Sequence, residues 1–203
     1  MTEIDPAGFD HNDRRRRNRR MLLAIFALFF GSMLLAGLLR FSGWRPDGTK
    51  SHGELLEPPV DLREARLALL AGGEYAWNPG ERLWRLAVAP PADCAAACDD
   101  VARDLDVVWR TLGHRADKVE VLWLCAQADC RVPSPLREDR SLRVLRPDPA
   151  VRAKLPGVDN GAATPTGLAV YVIDPHGFVI LRYAPDADPA GIRADLGKLL
   201  KLI

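Results

Sequence analysis

The chain has 203 residues, enough for one domain and a short extension. Lys and Arg total 28 against 27 Asp and Glu, so the net charge is only +1. The pI of about 7.7 argues against a nucleic-acid partner, because such proteins usually carry a basic face. Apolar residues make up 48% and charged residues 27%, which excludes a largely disordered chain.

The N-terminal region holds a candidate membrane segment. Residues 21–39 carry no charge and would span about 28 Å as a helix, close to the hydrocarbon thickness of a bilayer. Six arginines lie in residues 14–20 and only Arg40 follows the segment, so the positive-inside rule predicts a cytoplasmic N-terminus. A cleaved signal peptide is the alternative, but the segment is long for one and no small-x-small cleavage site follows it. We predict an uncleaved single-pass anchor.

These features divide the chain into four parts. They are a basic cytoplasmic N-terminus over 1–20, a transmembrane helix over 21–41, a linker over 42–60 rich in glycine and proline, and an exported domain over 61–203. The bias toward Ala, Arg, Leu and Pro suggests a bacterium with GC-rich DNA. We therefore expect the inner (plasma) membrane, with the C-terminal domain in the periplasm.

Within the exported domain, residues 61–70 are expected to be a short helical or irregular segment, followed by a turn at Gly72-Gly73. Apolar alternation and continuous apolar runs then predict strands over 83–88, 119–125, 141–145, 168–173 and 178–183.

Helical spacing and capping residues predict three helices between these strands. The clearest has the apolar stripe Val101, Leu105, Val108 and Leu112, with Asp93 as N-cap and Gly113 at its end. A short helix is expected over 150–155, and Asp188-Pro189 opens the last one. The order begins with a βαβ unit, adds a hairpin and has helices for both faces of the sheet. This order predicts an α/β fold of the thioredoxin kind.

The first cysteine pair, Cys94 and Cys98, follows a predicted strand and opens the clearest helix. The free N–H groups and dipole of a helix N-terminus stabilise a thiolate. A thiolate is the nucleophile of disulfide exchange and a soft ligand for Cu(I). The two sulfurs lie one helical turn apart, so they can form a disulfide or bind one metal ion. A buried disulfide or two reduced core cysteines without chemistry are the alternatives.

With an N-terminal anchor and a C-x3-C in a thioredoxin-like domain, the sequence resembles the SCO/SenC proteins. The resemblance includes residues 53–56, 84–98 and 171–183 and the closing helix, and it is closest to a bacterial subgroup of cytochrome oxidase-associated membrane proteins. It implies a factor for cytochrome c oxidase assembly, with an oxidase subunit or other assembly factors as partners. Cys94 and Cys98 would handle Cu(I) or reduce thiols at the copper site of that subunit.

Two departures from the family pattern bear on copper. Asp99 follows the second cysteine where the family usually has proline. The family's third copper ligand is a histidine about eight residues before the Asp-Pro-x-Gly hairpin, and that position is Thr166 here. The four histidines of the chain are His11, His52, His114 and His176, and none is expected near Cys94. A site of two cysteines and one histidine is therefore not supported, whereas a two-thiolate Cu(I) site or thiol redox work remains open.

The second cysteine pair, Cys125 and Cys130, follows the second parallel strand, so it is expected near the first pair. A local disulfide is one interpretation, and a second redox pair or an extra soft ligand is the other. Thr164-Pro165-Thr166 resembles the cis-proline element that faces the cysteines of thioredoxin-like enzymes, although an ordinary trans proline fits as well.

Three functions compete at this stage. A non-enzymatic assembly factor is favoured over a general thiol–disulfide oxidoreductase, whose usual motif is C-x2-C. A redox-inert scaffold is the third possibility, since a fold does not dictate its chemistry.

Overall fold

The computed structural model describes residues 7–42, 51–137, 141–158 and 168–202. Helix α1 belongs to one compact unit, and every later element belongs to a second. The helices are α1 Ala7–Phe41, α2 Ala95–Thr111, α3 Ser134–Arg137, α4 Pro149–Lys154 and α5 Pro189–Leu199. The strands are β1 Glu54–Asp61, β2 Leu67–Ala68, β3 Glu74–Tyr75, β4 Trp84–Val88, β5 Val119–Leu124, β6 Leu142–Leu145, β7 Val170–Ile173 and β8 Phe178–Tyr183.

Helix α1 contains the predicted membrane segment. Within the described part of the chain it is the one helix that is long and apolar enough to cross a membrane, over residues 14–41. Its large apolar side chains, such as Leu28 and Phe29, are exposed in the chain by itself. By length and composition this helix is the candidate membrane span.

Six strands form one mixed sheet in the order β1-β8-β7-β4-β5-β6. Strands β4, β5 and β6 are parallel, whereas β7 runs antiparallel to β4 and pairs with β8 in a hairpin. Every residue of β4 and β5 is buried, because the sheet is covered on both faces. This explains why both strands are apolar apart from Arg85 and Glu120. The predicted α/β fold of the thioredoxin kind, with β4-α2-β5 as its βαβ unit, is confirmed.

Two apolar layers cover the sheet. On one face, the predicted stripe of α2 is buried together with α5 against Val121 and Trp123. On the other face, Leu62 and Leu67 pack with Val151 of α4. Helices therefore lie on both faces, and the hairpin β2-β3 extends the second layer.

The predicted linker over 42–60 is too long. Residues 54–61 form β1, which pairs antiparallel with β8 at the edge of the sheet. Their prolines indicated a linker, but an edge strand tolerates proline because one side of its backbone needs no partner. The pairing is also irregular between Leu55 and Val60, a stretch that contains both prolines. The expected helical or irregular segment over 61–70 likewise includes strand β2.

Of the two N-caps predicted from the sequence, one is confirmed and one is wrong. Asp188 is the N-cap of α5, as predicted, and its side chain accepts a hydrogen bond from the Ala190 N–H at 2.8 Å. Asp93, in contrast, is not the N-cap of α2. The helix begins one residue later than expected because the Cys94 carbonyl accepts the first helical hydrogen bond, from the Cys98 N–H at 3.1 Å. Cys94 is therefore the N-cap.

Candidate functional site

The four cysteines lie in two loops and the first turn of α2, at one edge of the sheet. Strands β4 and β5 are parallel neighbours, so the loops that follow them emerge at the same edge. The first loop leads into α2 and carries Cys94, and the second leads into α3 and carries Cys125 and Cys130. All four sulfur-bearing side chains belong to the apolar cluster between the sheet and helices α2 and α5. The expected proximity of the two pairs is thus present in the structure.

Cys94 and Cys98 form a disulfide across the first turn of α2, with their Cα atoms 5.4 Å apart. Cys94 is half-buried at the N-cap, whereas Cys98 is only 5% exposed. Cys94 makes no side-chain capping hydrogen bond. The position of Cys94 at the N-terminus of α2 favours its thiolate when the pair is reduced, because the helix dipole and free N–H groups stabilise negative charge there.

Cys125 and Cys130 form the second disulfide, with Cα atoms 5.5 Å apart. This pairing is local, as one of the two interpretations expected. Cys125 directly follows β5 and is completely buried, whereas Cys130 is half-buried. Each disulfide thus joins one deeply buried cysteine to one that is closer to solvent.

A cavity of about 290 Å³ lies between the two loops. Cys94, Cys98 and Cys130 all line it, together with the backbone and prolines of both loops. Its rim is acidic, because the three carboxylates of Asp93, Asp99 and Asp129 oppose one guanidinium. Such a rim suits a partner surface with basic or neutral character.

The guanidinium on the rim belongs to Arg131 and pairs with Asp99 at 3.8 Å. Asp99 directly follows Cys98, and Arg131 directly follows Cys130, so this ion pair joins the two cysteine loops. Sequence reasoning noted Asp99 only as a departure from a family pattern. The available signal was that each of these two cysteines is followed by a charge of opposite sign.

A buried arginine forms hydrogen bonds to the backbone at the start of both cysteine loops. Arg152 of α4 is 6% exposed and donates hydrogen bonds to the carbonyl oxygens of Ala89, Pro90 and Leu124, at 3.2, 3.0 and 3.1 Å. Those carbonyls end β4 and β5, immediately before the cysteine loops. Arg152 is therefore a positioning residue that sequence reasoning missed, since nothing in a six-residue helix indicates which strand ends it will reach.

The chemistry of the available donors limits metal binding. Cys94 and Cys98 would supply two soft thiolates after reduction, which fits Cu(I). Among the described residues, no histidine lines the cavity, and no group of three or more His, Cys, Asp or Glu could hold a metal ion. Thr166, at the position of the family's histidine, and Thr164-Pro165 lie outside the described residues.

The described histidine side chains lie elsewhere. His114 is exposed after the far end of α2, and His176 is exposed in the β7-β8 turn, 3.7 Å from Asp174. His52, expected in the linker, contacts the buried carboxylate of Asp195 in α5 through its backbone N–H at 2.6 Å and its ring at 3.2 Å. This histidine therefore anchors the segment before β1.

Comparison with protein families gives one decisive match. Residues 84–203 match the family described as the transmembrane-like, thioredoxin-like, C-terminal domain. The chain belongs to this family. The matched region of this thioredoxin-like protein contains both cysteine pairs and Arg152. A search of curated proteins gives no match.

Solved structures with a similar fold include Sco proteins. BsSco, a member of the Sco family of cytochrome c oxidase assembly proteins in which a disulfide switch was identified, has a TM-score of 0.53 and 12% identity, over 74% of this chain and 98% of BsSco. Copper-bound yeast Sco1 has a TM-score of 0.51 and 17% identity, over 76% and 95%. A SCO1/SenC family lipoprotein from Bacillus anthracis has a TM-score of 0.51 and 16% identity, over 71% and 98%. The expected Sco/SenC-like thioredoxin fold is confirmed.

Proposed function

We propose that this chain is a membrane-anchored factor for cytochrome c oxidase assembly that acts through Cys94 and Cys98. The observation that carries the proposal is the disulfide between these residues at the N-terminus of α2, beside a cavity, in an Sco-like fold. The Sco family of BsSco serves cytochrome c oxidase assembly, which supports an oxidase subunit as the partner.

The favoured chemistry is reduction of a disulfide at the copper site of the subunit. The Cys94 thiolate attacks one sulfur of that disulfide, and the other sulfur leaves as a thiolate and takes up a proton. The Cys98 thiolate then attacks Cys94 and releases the second thiol of the subunit. Two electrons pass to the subunit, Cys94–Cys98 becomes a disulfide, and a dithiol reductant restores it. The subunit is left with two thiols that can bind copper.

Transfer of Cu(I) as cargo is the second form of the proposal. The reduced pair would hold the ion through two thiolates, without an imidazole from any described residue that lines the cavity. Both forms require the reduced pair, but only the redox form also uses the Cys94–Cys98 disulfide, as the product of its reaction.

A direct assay separates these possibilities. The reduced full chain in detergent is mixed with a peptide that carries the disulfide of an oxidase copper site, and released thiols are counted. We expect Cys94→Ser to lower the rate at least about 100-fold, because no other thiolate has the same access at the helix end. His114→Ala, at the opposite end of α2, serves as the matched control and should leave the rate unchanged.

Other outcomes have defined meanings. An unchanged rate in Cys94→Ser would overturn the redox form. One-to-one Cu(I) binding against a competing chelator, lost in Cys94→Ser, would support the cargo form instead. A deletion strain that is fully restored by the Cys94→Ser/Cys98→Ser chain would indicate a redox-inert scaffold. Activity on any disulfide, without preference for the oxidase peptide, would indicate a general oxidoreductase.

The proposed location is the inner membrane, with the thioredoxin-like domain in the periplasm. Helix α1 is the candidate span, and the arginine-rich stretch at its N-terminal side supports a cytoplasmic N-terminus. An alkaline phosphatase fused to the C-terminus should be active in cells, since this enzyme folds only on the periplasmic side. An inactive, stably expressed fusion would reverse the orientation.

A further inference from the structure

We propose that Cys125 and Cys130 are a second redox pair, which exchanges its disulfide with Cys94 and Cys98 inside one chain. This inference rests on the proposed redox function of the first pair. Its consequence is that the fully reduced chain stores four electrons rather than two. One chain could then reduce a partner disulfide twice before an external dithiol must act.

The arrangement of the cavity is the first argument. Cys94, Cys98 and Cys130 open on the same space of about 290 Å³, with Cys125 immediately behind Cys130. A disulfide with only a structural role would not need one of its sulfurs beside a reactive pair. Exchange requires that a thiolate reach a disulfide sulfur, and a shared cavity provides that access.

The contacts between the two loops are the second argument. The ion pair of Asp99 and Arg131 joins the residues that directly follow Cys98 and Cys130. Helix α3 packs against α2, and its Leu136 is completely buried in the same apolar cluster. The loop before α3 is further held by the Arg137 guanidinium, which donates to the Val132 carbonyl at 2.9 Å. Because the ion pair joins the residues that directly follow Cys98 and Cys130, we assign these two cysteines as the ones that exchange.

The chemistry balances without a further reagent. With the first pair oxidised and the second reduced, the Cys130 thiolate attacks the sulfur of Cys98 and breaks the Cys94–Cys98 bond. Cys94 leaves as a thiolate and takes up a proton. The Cys125 thiolate then attacks Cys130, which breaks the mixed disulfide and releases Cys98. Two electrons and two protons have moved from the second pair to the first.

The exposures of the four cysteines give the relay a direction in space. Cys94 is half-buried at the helix end, Cys98 is 5% exposed and Cys125 is completely buried. We assign Cys94 as the cysteine that contacts a protein partner, with electrons passing between the pairs through Cys98 and Cys130. Cys130 is half-buried as well, so direct reduction of the second pair by an external dithiol is the route that the tests must separate from the relay.

Trapping of the mixed disulfide tests the relay. The full chain in detergent with Cys94→Ser/Cys125→Ser keeps only Cys98 and Cys130, and the matched control with Cys98→Ser/Cys130→Ser keeps only Cys94 and Cys125. In a glutathione buffer, peptide mapping should find at least about tenfold more intramolecular disulfide in the first variant. Equal amounts in both folded variants, or none in the first, would overturn the proposal.

A second measurement uses the unaltered chain, in case a serine variant does not fold. One equivalent of a dithiol is added to the oxidised chain, and alkylation at successive times locates the free thiols. The total stays at two thiols per chain; we expect them first on Cys94 and Cys98 and then redistributed in part to Cys125 and Cys130, at a rate independent of protein concentration. Thiols that stay on the first pair, or a rate that rises with concentration, would contradict exchange within one chain.

The two proposals fail separately. Exchange without reduction of the oxidase peptide would leave the relay intact and remove the proposed function. Reduction of the peptide without exchange would leave Cys94 and Cys98 as the only active pair.

Discussion

A buried arginine lies at each end of the central strands, and both arginines donate to backbone carbonyls, but Arg85 also lies among charged side chains of neighbouring strands. At the amino ends, Arg85 is 1% exposed and lies in a charged network. It donates to the Tyr75 hydroxyl at 2.7 Å and lies 3.8 Å from Glu120, which also pairs with Arg143 at 3.0 Å. Its guanidinium also donates to the carbonyl oxygens of Leu83, Asp174 and Pro175, at 2.8, 3.3 and 3.2 Å. At the carboxyl ends, the hydrogen bonds of Arg152 go to three backbone carbonyls of the cysteine loops.

This difference indicates that the residues at the amino ends of the strands contribute to stability, whereas those at the carboxyl ends form the candidate functional site. Burial and the hydrogen bond to Glu120 raise the pKa of Tyr75, which keeps its hydroxyl protonated as the donor to that carboxylate. The charges at the amino ends therefore pair with one another, Arg85 also holds the backbone of the β7-β8 turn, and no cysteine lies there. At the carboxyl ends, Arg152 holds the backbone segments that lead directly into the loops with the reactive cysteines. We infer that the first arginine supports stability alone, whereas the second supports stability and the geometry of the site.

Substitution of the two arginines should have the largest effects on stability, and it tests whether the two ends have different roles. Arg85→Met removes one partner of the Glu120 carboxylate and the donor to the carbonyls of Leu83, Asp174 and Pro175. Arg152→Met leaves three buried carbonyls at the cysteine loops without these donors. Each should lower the free energy of unfolding by about 2–5 kcal/mol. Only Arg152→Met should also slow disulfide exchange at Cys94. Urea unfolding and the thiol-release assay measure both quantities, and equal exchange rates in the two variants would contradict the assigned roles.

A third region, around Asp195 in α5, should make the stability of the fold depend on pH. Burial by itself raises the pKa of Asp195, but hydrogen bonds from Lys198, His52 and Gly53 lower it by more than burial raises it. The resulting pKa is about 2, against an ordinary value of 3.8. The carboxylate therefore stabilises the fold above about pH 4, and this contribution, about 2 kcal/mol, is lost as the pH falls toward 2.

Asp195→Asn should remove that acid-dependent part. The difference in unfolding free energy between wild type and variant should shrink from pH 5 to pH 2, and thiol release near pH 7 should change little. Urea unfolding at a series of pH values measures the first quantity. A difference that stays constant across this range would show that Asp195 does not titrate with folding.

The ion pair between the cysteine loops should have the smallest effect on stability. Asp99 and Arg131 are 43% and 73% exposed, so Asp99→Asn should cost no more than about 0.5 kcal/mol. If the pair holds Cys98 beside Cys130, the same change should slow exchange between the two disulfides several-fold. Asp100→Asn, which removes an exposed pair with Arg103 on the same helix, is the matched control and should not slow it. Equal rates in both variants would show that the ion pair does not position the loops.

Prediction from sequence succeeded where local periodicity was strong. The strands over 178–183 and 119–124 and the buried stripe of α2 lie where the apolar pattern indicated them. It failed where a tertiary partner overrides composition. Residues 54–61 are rich in glutamate and proline, and they become a strand only because β8 offers an open edge. The N-cap of α2 moved by one residue because the carbonyl of Cys94, not that of Asp93, accepts the first helical hydrogen bond.

The sequence by itself determined the apolar N-terminal segment, the βαβ order and the position of both cysteine pairs after parallel strands, because these follow from hydrophobic pattern and spacing. The tertiary structure decided which groups meet across long separations. Arg152 donates to Pro90 and Leu124, which are 62 and 28 residues away, and Asp99 meets Arg131 across the cavity. Such contacts depend on how the layers pack, and packing is a property of the whole sheet rather than of any local pattern.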